Sequence, residues 1–176
     1  MAEPTRIIST ARLDLVPLRP ADADEMVGVL ADQRLYSFIG GGPPDRESLR
    51  ASYARQAAGQ SADGTEEWHN WIVRLRPDGT AIGFVQATIV DAGAVAGIAW
   101  LIGVPWRGRG FAVEAVRALV SWLDRRGVRK VVAHIRPDHH ASGSVAARAG
   151  LEPTNELDDD GEQIWRRTFQ WVDARP

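Results

Sequence analysis

Cysteine is missing from this chain of 176 residues and 19.3 kDa. Its absence excludes thiol nucleophiles, disulfides and cysteine-ligated metal sites, and no metal is expected. Lysine is almost missing too: Lys130 stands alone against 20 arginines. At any one position that bias reads as genome composition unless the position argues otherwise. No charge of one sign dominates, since 21 basic and 23 acidic residues leave a net charge of −2. So weak a field disfavours a nucleic-acid backbone or an anionic membrane as partner. Long apolar runs are absent as well. The longest stretch, Ala92 to Trp106, is broken by Gly93, Gly97, Gly103 and Pro105 and falls short of the roughly 20 residues a membrane span needs. The first residues carry no apolar segment of the kind a secretory signal has, so a cytoplasmic protein is expected.

What is present makes one ordinary core. The expectation is a single domain over residues 1–176, its core running from about 10 to 171. Arg12 to Leu18 alternates as a short strand, with Pro17 suited to an edge or strand end. Pro20 opens a helix with Asp22, Asp24 and Glu25 in its first turn and Ala23, Met26, Val27 and Leu30 on its apolar face. After Gly40-Gly41-Gly42-Pro43-Pro44, Asp45 caps a second helix burying Leu49, Tyr53 and Ala57. From Trp68 the period becomes two. Strands through Trp71–Leu75, Ala81–Val90 and Val95–Ile102 form an antiparallel meander, turning at Pro77-Asp78-Gly79 and Asp91-Ala92-Gly93.

The helical period returns after Gly110 and stops at Gly127, before the apolar strand Lys130–Ile135. Strand, helix and strand make a right-handed crossover, so Val95–Ile102 and Lys130–Ile135 should run parallel. A short helix, Ser142 to Ala149, and a hairpin of Leu151–Leu157 with Gln163–Trp171 complete the chain. The fold class is α/β, a mixed and mostly antiparallel sheet whose character changes at the crossover.

The chemistry is expected at that change. Arg107-Gly108-Arg109-Gly110-Phe111-Ala112 leaves a strand and enters a helix through two glycines. Glycines let backbone N–H groups converge on an anion, and the helix start adds about half a positive charge. A flexible turn before an ordinary helix is the plainer alternative. The dinucleotide fingerprint fails because its third glycine is Val113, and the P-loop fails for want of its lysine.

The same residues match the R/Q-x-x-G-x-G/A signature of the GNAT superfamily of acyl-CoA-dependent N-acyltransferases. Gly110-Phe111-Ala112-Val113-Glu114-Ala115 resembles the G-Y-A-T-E-A helix start of the branch containing the ribosomal-protein alanine N-acetyltransferases. Pro137 to Leu151 resembles that branch's P-x-N-x-x-S-x-x-V-x-x-x-x-G-F segment, and Thr10 to Asp24 its T-x-R-L-x-L-R-P-L opening.

The resemblance implies a β-α-β crossover with splayed parallel central strands that binds acetyl-CoA as acyl donor. Amides of the loop carrying Arg107, Gly108, Arg109, Gly110, Phe111 and Ala112 would hold the pyrophosphate. The backbone of Trp100, Leu101 and Ile102 would pair with the pantetheine arm. His139 stands where the family has Asn and would donate to a pantetheine carbonyl. Ser142 keeps the family's Ser, to bond the cofactor or protonate the departing thiolate, although an N-cap of the short helix is an equal reading. A homodimer is also implied. Two departures stand out: the strand position that often carries Glu in related enzymes is Gly97, and the tyrosines, Tyr36 and Tyr53, match no motif position.

An ammonium acceptor must lose a proton before it attacks a thioester. His134, on the strand flanking the wedge, is the leading candidate base, with a hydrogen-bonded core histidine as the alternative. Glu66, Glu67 and His69 are weaker candidates that read equally as a solvated strand entry, and Glu114 reads better as structural. Tyr36, Phe38, Trp68, Trp71 and Trp100 are candidate acceptor walls, though Trp71, Trp122 and Trp171 also suit a sheet–helix interface. The acidic run Glu156 to Glu162 reads as a solvated turn, or as an attractant for a cationic acceptor. The leading function is direct acetyl transfer to a small-molecule amine or a protein N-terminus. A CoA-binding sensor without turnover and a transferase using a larger acyl-CoA such as succinyl-CoA are the competitors.

Overall fold

The computed structural model describes residues 5–170. Among them eight strands form one sheet in the order β1-β2-β3-β4-β5-β6-β8-β7. These are β1 (Ile8–Ser9), β2 (Leu13–Pro17), β3 (Glu67–Leu75), β4 (Ala81–Val90), β5 (Val95–Ile102), β6 (Lys130–Ile135), β7 (Glu152–Leu157) and β8 (Gln163–Thr168). All neighbours pair antiparallel except β5 and β6.

Helices α1 (Ala23–Val29) and α2 (Arg46–Gln56) cover one face, and α3 (Phe111–Arg125) and α4 (His140–Arg148) cover the other. The two faces follow from the period of two. Trp71, Val73, Val85, Ala87, Ala96, Ile98, Val131 and Ala133 join α3 in the larger core, while Ile72 and Leu101 join α1 and α2 in the smaller one. α3 forms because Ala115, Val116, Leu119, Val120 and Leu123 make one buried stripe, and Gly127 (φ +88°) ends it.

Four sequence expectations change. β1 was not anticipated, because two residues carry no period. Ala57 is exposed just past the end of α2 instead of buried. α4 starts at His140, two residues before the expected Ser142, so its N-cap is His139 and Ser142 lies inside the helix. β8 ends at Thr168, and the part of the expected strand at Trp171 lies outside the described residues. Among the described residues no helix is long and apolar enough to cross a membrane.

Candidate acyl-donor and acceptor site

The parallel pair is short. β5 and β6 pair only at Val95↔Lys130, Ala96↔Val131 and Gly97↔Val132, although β5 runs on to Ile102 and β6 to Ile135. Beyond Gly97 each strand keeps its outer neighbour, β4 or β8. A wedge therefore opens between them, lined by main-chain groups of Ile98–Ile102 with no strand partner on that side. Gly83 helps shape it. A Cβ there would lie 2.0 Å from the Leu101 carbonyl oxygen, so only glycine lets the end of β5 lean over β4.

The wedge mouth faces the start of α3. Gly108 (φ +74°) and Gly110 (φ +78°) take left-handed conformations, and a Cβ at Gly108 would meet open space. No side chain caps α3. Among the described residues, none of the N–H groups from Gly108 to Val113 donates to the rest of the chain. Six donors beside a helix N-terminus fit a pyrophosphate. The loop is braced from β2's side by Arg12, which donates to the Arg109 carbonyl (3.0 Å) and to Glu114 Oε2 (2.6 Å) and lies over the Phe111 ring. Sequence reasoning missed Arg12, one arginine among twenty. Arg107 donates weakly to the Ile102 carbonyl (3.4 Å), and its charge reaches both Asp32 and His139.

His139 and Ser142 sit together across the mouth, with Ser142 Oγ 3.4 Å from His139 Nε2. The His139 ring stacks on Phe38, centroids 4.1 Å apart and planes within 2°. The loop after the 3-10 turn Gln33–Tyr36 thus reaches over the wedge to the head of α4. Burial, and then the charge of Arg107, hold the His139 imidazole below its usual pKa, so the ring is neutral at pH 7.

On the α1/α2 face the strand register sets side chains in rows: Trp68, Thr88 and Gly97 in one, Asn70, Gln86 and Ala99 in the next. Asn70, Gln86 and Thr88 make no side-chain hydrogen bond among the described residues, so they offer a neutral polar floor that the sequence did not single out. Trp68 borders it, its Nε1 donating to Glu66 (2.8 Å). Tyr36 packs against the α1/α2 core and donates to the Leu30 carbonyl (2.8 Å). Trp68, Asn70 and Leu18 also line a separate cavity of about 310 Å³ under the end of α2.

Two expected acceptor walls are not on this face. Trp71 is fully buried beneath α3, edge-on to Trp122 at 5.0 Å, with its Nε1 donating to the Arg6 carbonyl. Trp100 packs against the same core on the α3 side, so only its backbone borders the wedge. His69 is likewise buried on the α3 side, against Thr5 and Glu67, and Glu67 pairs with Arg126 at 2.7 Å. Buried His69 is not a solvated strand entry, and both side chains lie on the α3 side of the sheet, away from the Gly97 and Ala99 face. Glu114 is structural, accepting from Thr10 Oγ1 and from the Arg12 backbone and side chain.

His134 is no core histidine; its side chain is 44% exposed. It alternates with the buried Ala133 and Ile135 and so shares the Gly97 and Ala99 face. It stands two residues past the last parallel pair, at the apex of the wedge.

The comparisons agree with this architecture. The GNAT acetyltransferase domain family matches residues 12–152. No curated protein matches by sequence. Among solved structures, a putative ribosomal-protein-serine acetyltransferase from Vibrio cholerae is 18% identical, with TM-score 0.74, covering 95% of this chain and 99% of its own. RimL, a ribosomal L7/L12 α-N-protein acetyltransferase in complex with coenzyme A, is 18% identical, with TM-score 0.78 and coverage of 92% and 97%. The aminoglycoside acetyltransferase AAC(6')-Ib in complex with coenzyme A is 20% identical, with TM-score 0.73 and coverage of 89% and 94%. At these identities the structural likeness shows a shared fold. The match over residues 12–152 shows more: this chain belongs to the GNAT acetyltransferase domain family.

Proposed function

We propose that this chain is an acetyl-CoA-dependent N-acetyltransferase that moves acetyl directly onto a primary amine of a small molecule or a protein N-terminus. The observation that carries the reading is the run of unpartnered N–H groups from Gly108 to Val113 at the mouth of a splayed parallel pair. Diphosphate at that loop would lay a pantetheine arm along Trp100, Leu101 and Ile102, where main-chain groups without a strand partner on that side suit its two amides. Arg107 and Arg109 add charge, and His139 and Ser142 border the arm from β6's side. The thioester then lies toward the apex, where His134 faces the neutral floor.

His134 takes a proton from the acceptor ammonium. The amine lone pair attacks the thioester carbonyl, the C–S bond breaks and the sulfur leaves as thiolate, while the second proton of the attacking nitrogen passes to that sulfur through Ser142 or water, so Ser142 regains the proton it gives. No cysteine exists to carry an acyl-enzyme, which supports direct attack. Phe38, Tyr36 and Trp68 flank the acceptor, and Trp71 does not. RimL and AAC(6')-Ib act on a ribosomal protein and on aminoglycosides by their names, and both are amine acceptors of the proposed kind.

A thiol reagent tests the reading without background, since the chain contributes no thiol. Acetyl-CoA with a panel of small amines and N-terminal peptides should release CoA in step with acetylated amine seen by mass. CoA binding with no release across the panel would favour a sensor instead, and release only from succinyl-CoA would reassign the donor.

A further inference from the structure

His134 does not stand alone. Its Nδ1 lies 2.6 Å from Asp158 Oδ2, in the turn between β7 and β8. Asp158 is itself fixed, because its Oδ1 accepts the backbone N–H groups of Asp160 (3.0 Å) and Glu162 (2.8 Å). The His134 bond is the largest of the influences that hold the Asp158 carboxyl below its usual pKa, so it is a carboxylate at neutral pH. A carboxylate only accepts, so Nδ1 must carry the ring proton. In the neutral ring Nε2 then keeps its lone pair. The two nitrogens lie on opposite edges of the ring, so a bond toward the hairpin turns Nε2 away from the hairpin. Among the described residues no hydrogen bond occupies Nε2.

The other charges near this ring are committed elsewhere or lack the contact. Glu162 has an oxygen within 4.8 Å of the His134 and Asp158 ligand atoms but makes no hydrogen bond to the ring. Arg166 pairs with Glu156 and Arg136 with Asp138. Lys130 lies four residues back on the same strand face, and β5 presents only Gly97 and Ala99 there.

We infer that Asp158 is a positioning residue for acetyl transfer: it locks His134 in the Nδ1-protonated form and aims the Nε2 lone pair across the wedge apex at the acceptor ammonium. This inference rests on the N-acetyltransferase reading. It also accounts for glycine at position 97: the proton acceptor stands on β6, opposite the strand that bears Gly97, and is held from behind by the hairpin. Nε2 takes one proton from the ammonium, becomes imidazolium as the N–C bond forms and the C–S bond breaks, and returns that proton to solvent.

Asp158→Asn separates this role from a structural one. The asparagine Oδ1 still accepts the Asp160 and Glu162 N–H groups, so the turn persists. Its NH₂ donates toward Nδ1, which drives the ring proton to Nε2 and removes the lone pair. In the full chain, ¹⁵N spectra of the imidazole should show an Nδ1-protonated His134 in the wild type and an Nε2-protonated one in Asp158→Asn. In the thiol-release assay kcat should fall about 100-fold, with CoA affinity and the KM for acetyl-CoA unchanged. His134→Gln should lose a similar factor, and the double variant no more than either single, because the two act as one unit.

An Asp158→Asn enzyme within twofold of wild-type kcat, or an unchanged tautomer, overturns the inference. So does a fully active His134→Gln, and in all three cases thiol release by the wild type leaves the acetyltransferase reading standing. A wild type that releases no thiol with any amine overturns both.

Discussion

Single residues carry this site in two ways, by direct chemistry and by bracing. Glu114 braces. It ties the first turn of α3 to Thr10 and Arg12, so the glycine loop before α3 is anchored to the segment before β2. Burial pushes its carboxyl pKa up, but the hydrogen bonds from Thr10 and Arg12 outweigh that and leave it lowered. A depressed carboxylate stabilises the fold above its unfolded pKa, and that stability is lost as pH falls through the folded value. Glu114→Gln should therefore cost about 1 kcal/mol at pH 7, modest because Arg12 is half in water, or about 2–4 °C in Tm. The gap from wild type should shrink as melts are repeated down through the acid range below pH 4.5, the ordinary value for this carboxyl. A gap that stays constant with pH would show that the ion pair is not its source.

The structural role of Glu114 was legible because a first-turn carboxylate has an obvious local use. Asp158 was not legible. In a run such as Asp158-Asp159-Asp160 every carboxylate looks alike, and the one that turns back is chosen by the β6–β8 register, which pairs His134 with Ile164. The Phe38–His139 stack was hidden for the same reason, since about a hundred residues separate its partners.

At the scale of elements, the period of the apolar residues and the glycine, proline and aspartate punctuation read most strand and helix bounds directly. The crossover was the clearest, because a stretch ending at Gly127 with a 3.6 period can only return β6 parallel to β5. Faces were harder. Trp71-Ile72-Val73 is buried on both sides, so alternation cannot say which side carries α3; of the two readings open to Trp71, acceptor wall or sheet–helix interface, the structure has the second. What the meander could not reveal is how tightly β5 folds over β4. Gly83→Ala would drive a methyl group into the Leu101 carbonyl. A loss of about 3 kcal/mol in denaturant unfolding is expected, the upper end for overpacking. The same substitution made at Gly28, where nothing lies within 4 Å, should show no such penalty. Equal stability of the Gly83 variant would mean that β5 does not lean on β4 in solution.

For the molecule as a whole, one sheet does two jobs at one break. Antiparallel pairing runs from β1 to β5 and from β6 to β7, and the break between β5 and β6 supplies free main-chain groups, an apex histidine and a helix N-terminus together. The near-neutral, arginine-rich composition says little of this by itself. Its use is local: Arg12, Arg107 and Arg109 gather about one loop, while arginines such as Arg74 and Arg126 hold the two helical layers to the sheet.

The proposed chemistry depends on where the acyl donor's diphosphate lies, and calorimetric titration of CoA into wild type and Gly110→Glu locates it. Gly110 is exposed, and the left-handed φ of +78° makes any side chain there strained by about 1 kcal/mol. A glutamate would also set a negative charge among the free N–H groups. At least a tenfold rise in Kd, about 1.4 kcal/mol, is expected in a variant that still melts cooperatively. An unchanged CoA affinity in that variant would contradict the placement of the donor, and with it the roles given to the wedge and to His134.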